Sequence, residues 1–157
     1  MDLERFKQAQ GQPFGGFDGA LAELRSGRKT GHWIWYIFPQ LAGLGMSEMS
    51  RAYGIAGVSE AMEYLREPVL RDRLLTVSTT VLDQLRAGVP IAGLMGSSID
   101  VTKLVSSMTL FEAVAKKLHA SDANSDYLTL SDVAGEILTI AEASGYPPCE
   151  RTRTNVA

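Results

Sequence analysis

Apolar residues recur three and four apart over four stretches of this chain, the spacing of helices with one buried face. The clearest stretch opens after Pro68, whose fixed φ and missing N–H suit a first helical turn. It runs from Val69 to Ala87 with Leu70, Leu74, Val77, Val81 and Leu85 in line, and Gly88 stops it. A second helix starts at Ser97, with Asp100 three positions on in a capping pattern. There Val101, Leu104, Val105, Met108, Phe111, Ala115 and Leu118 form one face, and Leu110 and Val114 add another. A helix apolar on two sides is predicted to be central and covered by more than one neighbour. A third follows Thr129 and Ser131 with Leu130, Val133, Ile137 and Ile140, ending at Gly145 before Pro147 and Pro148. The fourth covers Phe17 to Arg25, with Phe17, Leu21 and Leu24 on one stripe.

Shorter helices are predicted from Asp2 to Gln10 and from Ser59, a good N-cap, to Arg66. The run Trp33-Ile34-Trp35-Tyr36-Ile37-Phe38 is rich in strand formers, yet an unbroken apolar run of that length equally suits a buried helical turn. The predicted fold is therefore mainly α: a compact single-domain bundle of about six helices over residues 3–145, with at most minor β structure. The stretch from Cys149 to Ala157 has almost no apolar content, and residues 146–157 are expected to form a mobile C-terminal tail.

A chain of 157 residues is long enough for one core, and 45% hydrophobic with 21% charged residues is the composition of a globular protein. The formal charge of −3 gives no surplus of cations for a nucleic-acid groove. No apolar run approaches the length of a membrane span, and the N-terminus lacks an apolar leader core, so a cytoplasmic location is expected. The two histidines, His32 and His119, and the single Cys149 are too few and scattered for a zinc site, and no cofactor signature occurs. Cys149, in a polar tail, shows no sign of activation. The methionines at 46, 49, 62, 95 and 108 read as packing filler.

Two stretches carry candidate chemistry. Trp33, Trp35, Tyr36 and Phe38 crowd together directly after Arg28, Lys29 and His32. They either fill the core or line a pocket that stacks a planar ligand, with His32 placed to move a proton. Downstream, the glycine-containing turn Gly43-Leu44-Gly45-Met46-Ser47 feeds a short helix to Tyr53. Its backbone N–H groups either hold an anion or simply lead into a helix capped by Ser47. On the central helix, Asp100, Lys103 and Ser107 share one track and Ser106 a neighbouring one. Asp100 as acid or base and Lys103 as anion anchor make a site there; the alternative is mutual satisfaction of these groups.

The blocks Arg28-Lys29-Thr30-Gly31-His32-Trp33-Ile34-Trp35-Tyr36-Ile37-Phe38-Pro39-Gln40, Gly43-Leu44-Gly45-Met46-Ser47 and Ser106-Ser107-Met108-Thr109-Leu110-Phe111 resemble the bacterial and fungal family called domain of unknown function 1810. Tyr53, Ile55, Glu60-Ala61, Tyr64-Leu65, Pro68, Asp100 and Lys103 extend the resemblance over Leu3 to Leu118; after His119 the sequence departs from the family pattern. The resemblance implies a mainly α-helical fold and assigns no activity. The calpastatin label that members often carry does not suit an aromatic-rich globular chain. The order Leu70-Arg71-x-Arg73-Leu74, then Asp100-x-x-Lys103, is similar to the last third of the NADAR family, whose members act on ADP-ribose conjugates. That family's Trp-Gly-x-Gly and Gly-x-Asn elements have no counterpart here, so no catalytic residue carries over.

The expected function is binding or hydrolysis of a small anionic ligand, a nucleotide or ADP-ribose derivative, in a hollow between the tryptophan-rich stretch and the central helix. His32 and Asp100 would be the proton-moving residues, and Lys29, Trp33, Trp35, Gly43, Gly45, Ser47, Lys103, Ser106 and Ser107 would bind the ligand. The alternative is a non-catalytic α-helical protein-interaction module.

Overall fold

In the computed structural model, which describes residues 2–157, the periodic stretches are all helical. The order is α1 (Glu4–Gln10), α2 (Phe17–Arg25), α3 (Ile34–Ile37), α4 (Glu48–Tyr53), α5 (Val58–Arg66), α6 (Pro68–Arg86), α7 (Ile91–Met95), α8 (Ser98–His119), α9 (Ser125–Ala143) and α10 (Glu150–Val156). That is ten helices among the described residues rather than about six. Of the four beyond six, α4 matches the short helix expected after Ser47 and α3 one of the two readings of the aromatic run, while α7 and α10, of five and seven residues, carry no clear hydrophobic period. The Trp33–Phe38 run folds as a helical turn, and among the described residues extended pairing is confined to one parallel bridge between Leu41 and Ile55.

Helix α8 packs against α3, α5, α7, α9 and α10 and buries both predicted faces, Leu110 and Val114 included. Ser97 caps it, its hydroxyl accepting the Asp100 N–H at 3.1 Å. Helix α9 begins four residues before Thr129, at Ser125, because the Asn124 side chain accepts the Asp126 N–H at 2.9 Å and Tyr127 is buried in the core. The 146–157 segment, expected to be a mobile tail, carries helix α10 packed on α8. Its anchors are Thr152 and Val156, both buried, and the Cys149 N–H, which donates to Thr109 Oγ1 at 3.3 Å. So little apolar surface suffices because the threonine hydroxyl is itself paired, with Cys149 Sγ at 3.1 Å.

Glu60, a solvated helix residue to judge from its type, is 4% exposed. Its Oε1 accepts from Arg5 Nη2 at 3.1 Å and from the Ala56 N–H at 3.0 Å, while Arg5 also donates to the carbonyls of Ala52 and Gly54. One ion pair thus ties α1 to the α4–α5 turn. Removing one partner of a buried pair strands the other, so Glu60→Ala is expected to cost about 3 kcal/mol in urea unfolding at neutral pH. A loss within experimental error would show that Arg5 is solvated without its partner.

Candidate functional site

The candidate site is organised by the loop between α2 and α3. Glu23 of α2 turns its carboxylate into this loop, where Oε1 accepts the N–H groups of Thr30 and Gly31 at 2.6 and 2.7 Å and the Trp33 indole N–H at 3.1 Å. Burial by itself raises the Glu23 carboxyl pKa; these hydrogen bonds outweigh it and hold the group below its usual value. Lys29 lies beneath the loop, 6% exposed. Its ammonium sits 2.8 Å from Asp100 Oδ2 and 4.8 Å from the Trp33 ring centroid, and donates to the Gly31 carbonyl. The Lys29 N–H reaches the Leu94 carbonyl at 2.7 Å, which brings α7 against the same loop. Gly96 closes α7 at φ 86°, where a Cβ would stand 3.0 Å from the Lys29 carbonyl oxygen; only glycine fits comfortably.

The tryptophan-rich segment and α8 do meet with open space beside them. One cavity, of about 450 Å³, lies between the Gln40–Ser50 segment, α8 and Cys149; Gly45, Ser47, Thr102, Lys103 and Ser106 are in its wall. A second, of about 380 Å³, is walled by Lys29, Thr30, Gly31, His32, Trp35, Ser97 and Asp100. Both are bordered by Ile99 and Lys103, so they form one cleft along the N-terminal half of α8.

Not every expected residue reaches this cleft. Trp33 is fully buried with its indole N–H bonded to Glu23, so it offers no stacking face; Trp35, half-buried, is the tryptophan in the cleft wall. Lys29 borders the second cavity with its charge already matched by Asp100, and the Asp100 carboxylate is engaged in return. Gly43 lies outside both cavities, and its carbonyl accepts Arg151 Nη1 at 3.1 Å. Ser47 caps α4, accepting the Ser50 N–H at 3.1 Å. Gly45 is needed because a Cβ there would collide with the Ser50 side chain. Ser106 donates to the Thr102 carbonyl at 3.0 Å, while Ser107 points into the core with its hydroxyl unpaired. His32 is exposed on the rim. Met46, 82% exposed, is a lip of the first cavity rather than core filler.

Cys149 is the functional candidate that composition hid. It precedes the first residue of α10 and borders the first cavity. Burial pushes its thiol pKa up, but the donors around the sulfur, led by the Thr152 hydroxyl at 3.1 Å, bring it below the ordinary thiol value. The Pro147-Pro148-Cys149-Glu150 stretch, prolines followed by an acidic first turn, is a helix-start signal that would have placed it.

The Glu23 clamp has a pH signature. A carboxyl whose folded pKa lies below its unfolded value adds stability above the unfolded value, and that contribution fades as pH falls through the folded one. Glu23→Gln is therefore expected to lower stability by about 1 kcal/mol at pH 7, since a charged acceptor is lost while an amide oxygen remains. The gap to wild type should begin to narrow in thermal melts as pH falls below about 4.5, the ordinary carboxyl value, and close below the folded one. A gap independent of pH would mean that the Glu23 charge contributes nothing.

No curated protein matches the chain. A crystal structure of the conserved hypothetical protein Rv1873 from Mycobacterium tuberculosis is similar to it, with 32% identity and a TM-score of 0.72, covering 98% of this chain and 94% of that one. The likeness therefore includes the segment after His119. Among the described residues no helix is long and apolar enough to cross a membrane. The model of a family described as protein of unknown function (DUF1810) matches residues 1–129, which hold the Glu23 clamp, the Gly43–Ser47 turn and all of α8. By that match, over most of its length, the chain belongs to the DUF1810 family.

Proposed function

We propose that the cleft along α8 binds a small phosphorylated ligand of the nucleotide or ADP-ribose class, with Lys103 as the anion contact. The observation that carries this reading is the pairing state of the cleft wall. Lys29 and Asp100 neutralise one another, whereas Lys103, on the border of both cavities, has no carboxylate within ion-pair distance among the described residues. Beside it the Trp35 indole N–H is buried without a partner. A buried donor left unpaired costs about 1–3 kcal/mol, which an acceptor on a ligand would recover. Trp35 would then receive the planar part of the ligand, and His32 on the rim is the group placed to move a proton in a hydrolysis. Asp100, held by Lys29, would fix the loop that carries His32. A second reading, a protein-interaction module, draws on Ile99 and Met46, apolar and exposed at the lips of the first cavity.

A thermal-shift series with ADP-ribose, ADP and coenzyme A tests the binding. Ligand at about 100 times Kd stabilises by about 2.7 kcal/mol, a shift of several degrees for a chain of this size. Lys103→Met should abolish the shift. Turnover of a bound ligand, followed by chromatography, should fall roughly 100-fold in His32→Ala. No shift with any of the three ligands, or an equal shift in Lys103→Met, would overturn the reading and leave the interaction module.

A further inference from the structure

The anion contact at Lys103 leaves the thiol in the same cavity without a role. Cys149 is the chain's only cysteine, it is half-buried, and it borders the open space. Thr152 Oγ1 donates to Sγ at 3.1 Å, and the single Ser106 hydroxyl proton, given to the Thr102 carbonyl in this structure, can serve the sulfur instead. Donors around the sulfur favour the thiolate, the form of cysteine that attacks electrophiles.

An independent observation at the same cavity points to a ligand. Gln40 is 9% exposed and borders it; its backbone carbonyl accepts the Ile55 N–H, but its side-chain amide has no partner among the described residues. Its Nε2 lies beside Gly45 in the cavity wall, where a Cβ on that glycine would stand 3.7 Å from it, so the amide is a free donor at the cavity. With the Lys103 ammonium, it gives the cavity two donors for a developing oxyanion.

The remaining wall selects the electrophile. Leu44, Met46 and Ile99 offer apolar surface for a short hydrocarbon, and His32 and Asp100 border the second cavity rather than this one, whose described lining holds no histidine, aspartate or glutamate. An amide or alkyl ester needs a proton delivered to its leaving group. A thioester does not, because a thiolate leaves as a stable anion. We propose that Cys149 is a nucleophile that accepts the acyl group of a small acyl thioester. The Cys149 thiolate bonds to the acyl carbon, and the Gln40 amide and Lys103 hold the resulting oxyanion. The carbon–sulfur bond to the departing thiolate then breaks, and that thiolate takes its proton from water. One thioester is exchanged for another, with no net oxidation or reduction.

This inference rests on the cleft being a ligand site, and two probes separate its failure from that of the phosphate reading. Butyryl-coenzyme A carries phosphates, and butyryl-N-acetylcysteamine carries the same thioester without them. By intact-mass spectrometry the protein should gain one butyryl group, removable by neutral hydroxylamine and absent in Cys149→Ala. Gln40→Leu should slow acylation roughly 100-fold, the scale of losing one oxyanion donor. Alkylation of the thiol by iodoacetamide, which builds no oxyanion, should keep its rate. An absent adduct, an adduct that persists in Cys149→Ala, an unchanged rate in Gln40→Leu, or a rate matching the urea-unfolded chain would overturn the proposal. A thermal shift by coenzyme A without acylation overturns the nucleophile and keeps the binding reading. Equal acylation by both probes supports the nucleophile and removes the phosphate contact.

Discussion

A single carboxylate oxygen governs how the tryptophan segment lies. Glu23 Oε1 gathers two successive backbone N–H groups and an indole N–H, and this fixes the loop over Lys29 so that its ammonium meets Asp100 at the first turn of α8. Without that acceptor three donors would be left in a partly buried loop, each worth its desolvation cost. The Glu23 hydrogen bonds and the Lys29–Asp100 pair are therefore one construction, linking α2, α7 and α8.

The same construction decides what remains for chemistry. It withdraws Trp33, Lys29 and Asp100 into mutual contact and leaves Trp35, His32 and Lys103 facing the cleft. Polar residues close together in sequence thus divide into a set that holds the fold and a set that borders the cleft. The division depends on Glu23, which in sequence is only one more charged residue on an amphipathic helix. Gln40 is a parallel case, its backbone carbonyl serving the Leu41–Ile55 bridge region while its side chain does not.

The long helices were legible because burial at period 3.6 writes itself into α6 and α8 residue by residue. The hollow beside α8 was legible from Asp100 and Lys103, whose charges need an outlet, but not from Ser107, which lies inside the core. Trp33 and Trp35 were not distinguishable, for they are two positions apart in the same apolar run, and what separates them is burial and the Glu23 carboxylate that Trp33 meets and Trp35 does not. Helix α10 was missed because its burial rests on Thr152 and Val156 and on hydrogen bonds to sulfur and to Thr109, none of which has a hydropathy signature. Cys149 then looked like a bystander in a polar tail. Its surroundings come from α8, about forty positions earlier in the chain, and sequence adjacency does not report them.

Seven residues are too few for a helix to persist in water unaided, so α10 owes its form to α8. The wall behind Cys149 thus depends on how α10 docks. With a ligand in the cavity, contact with Cys149 would also fasten the segment, and loosening the segment would lower affinity. Amide hydrogen exchange over residues 150–156 would register both as one equilibrium.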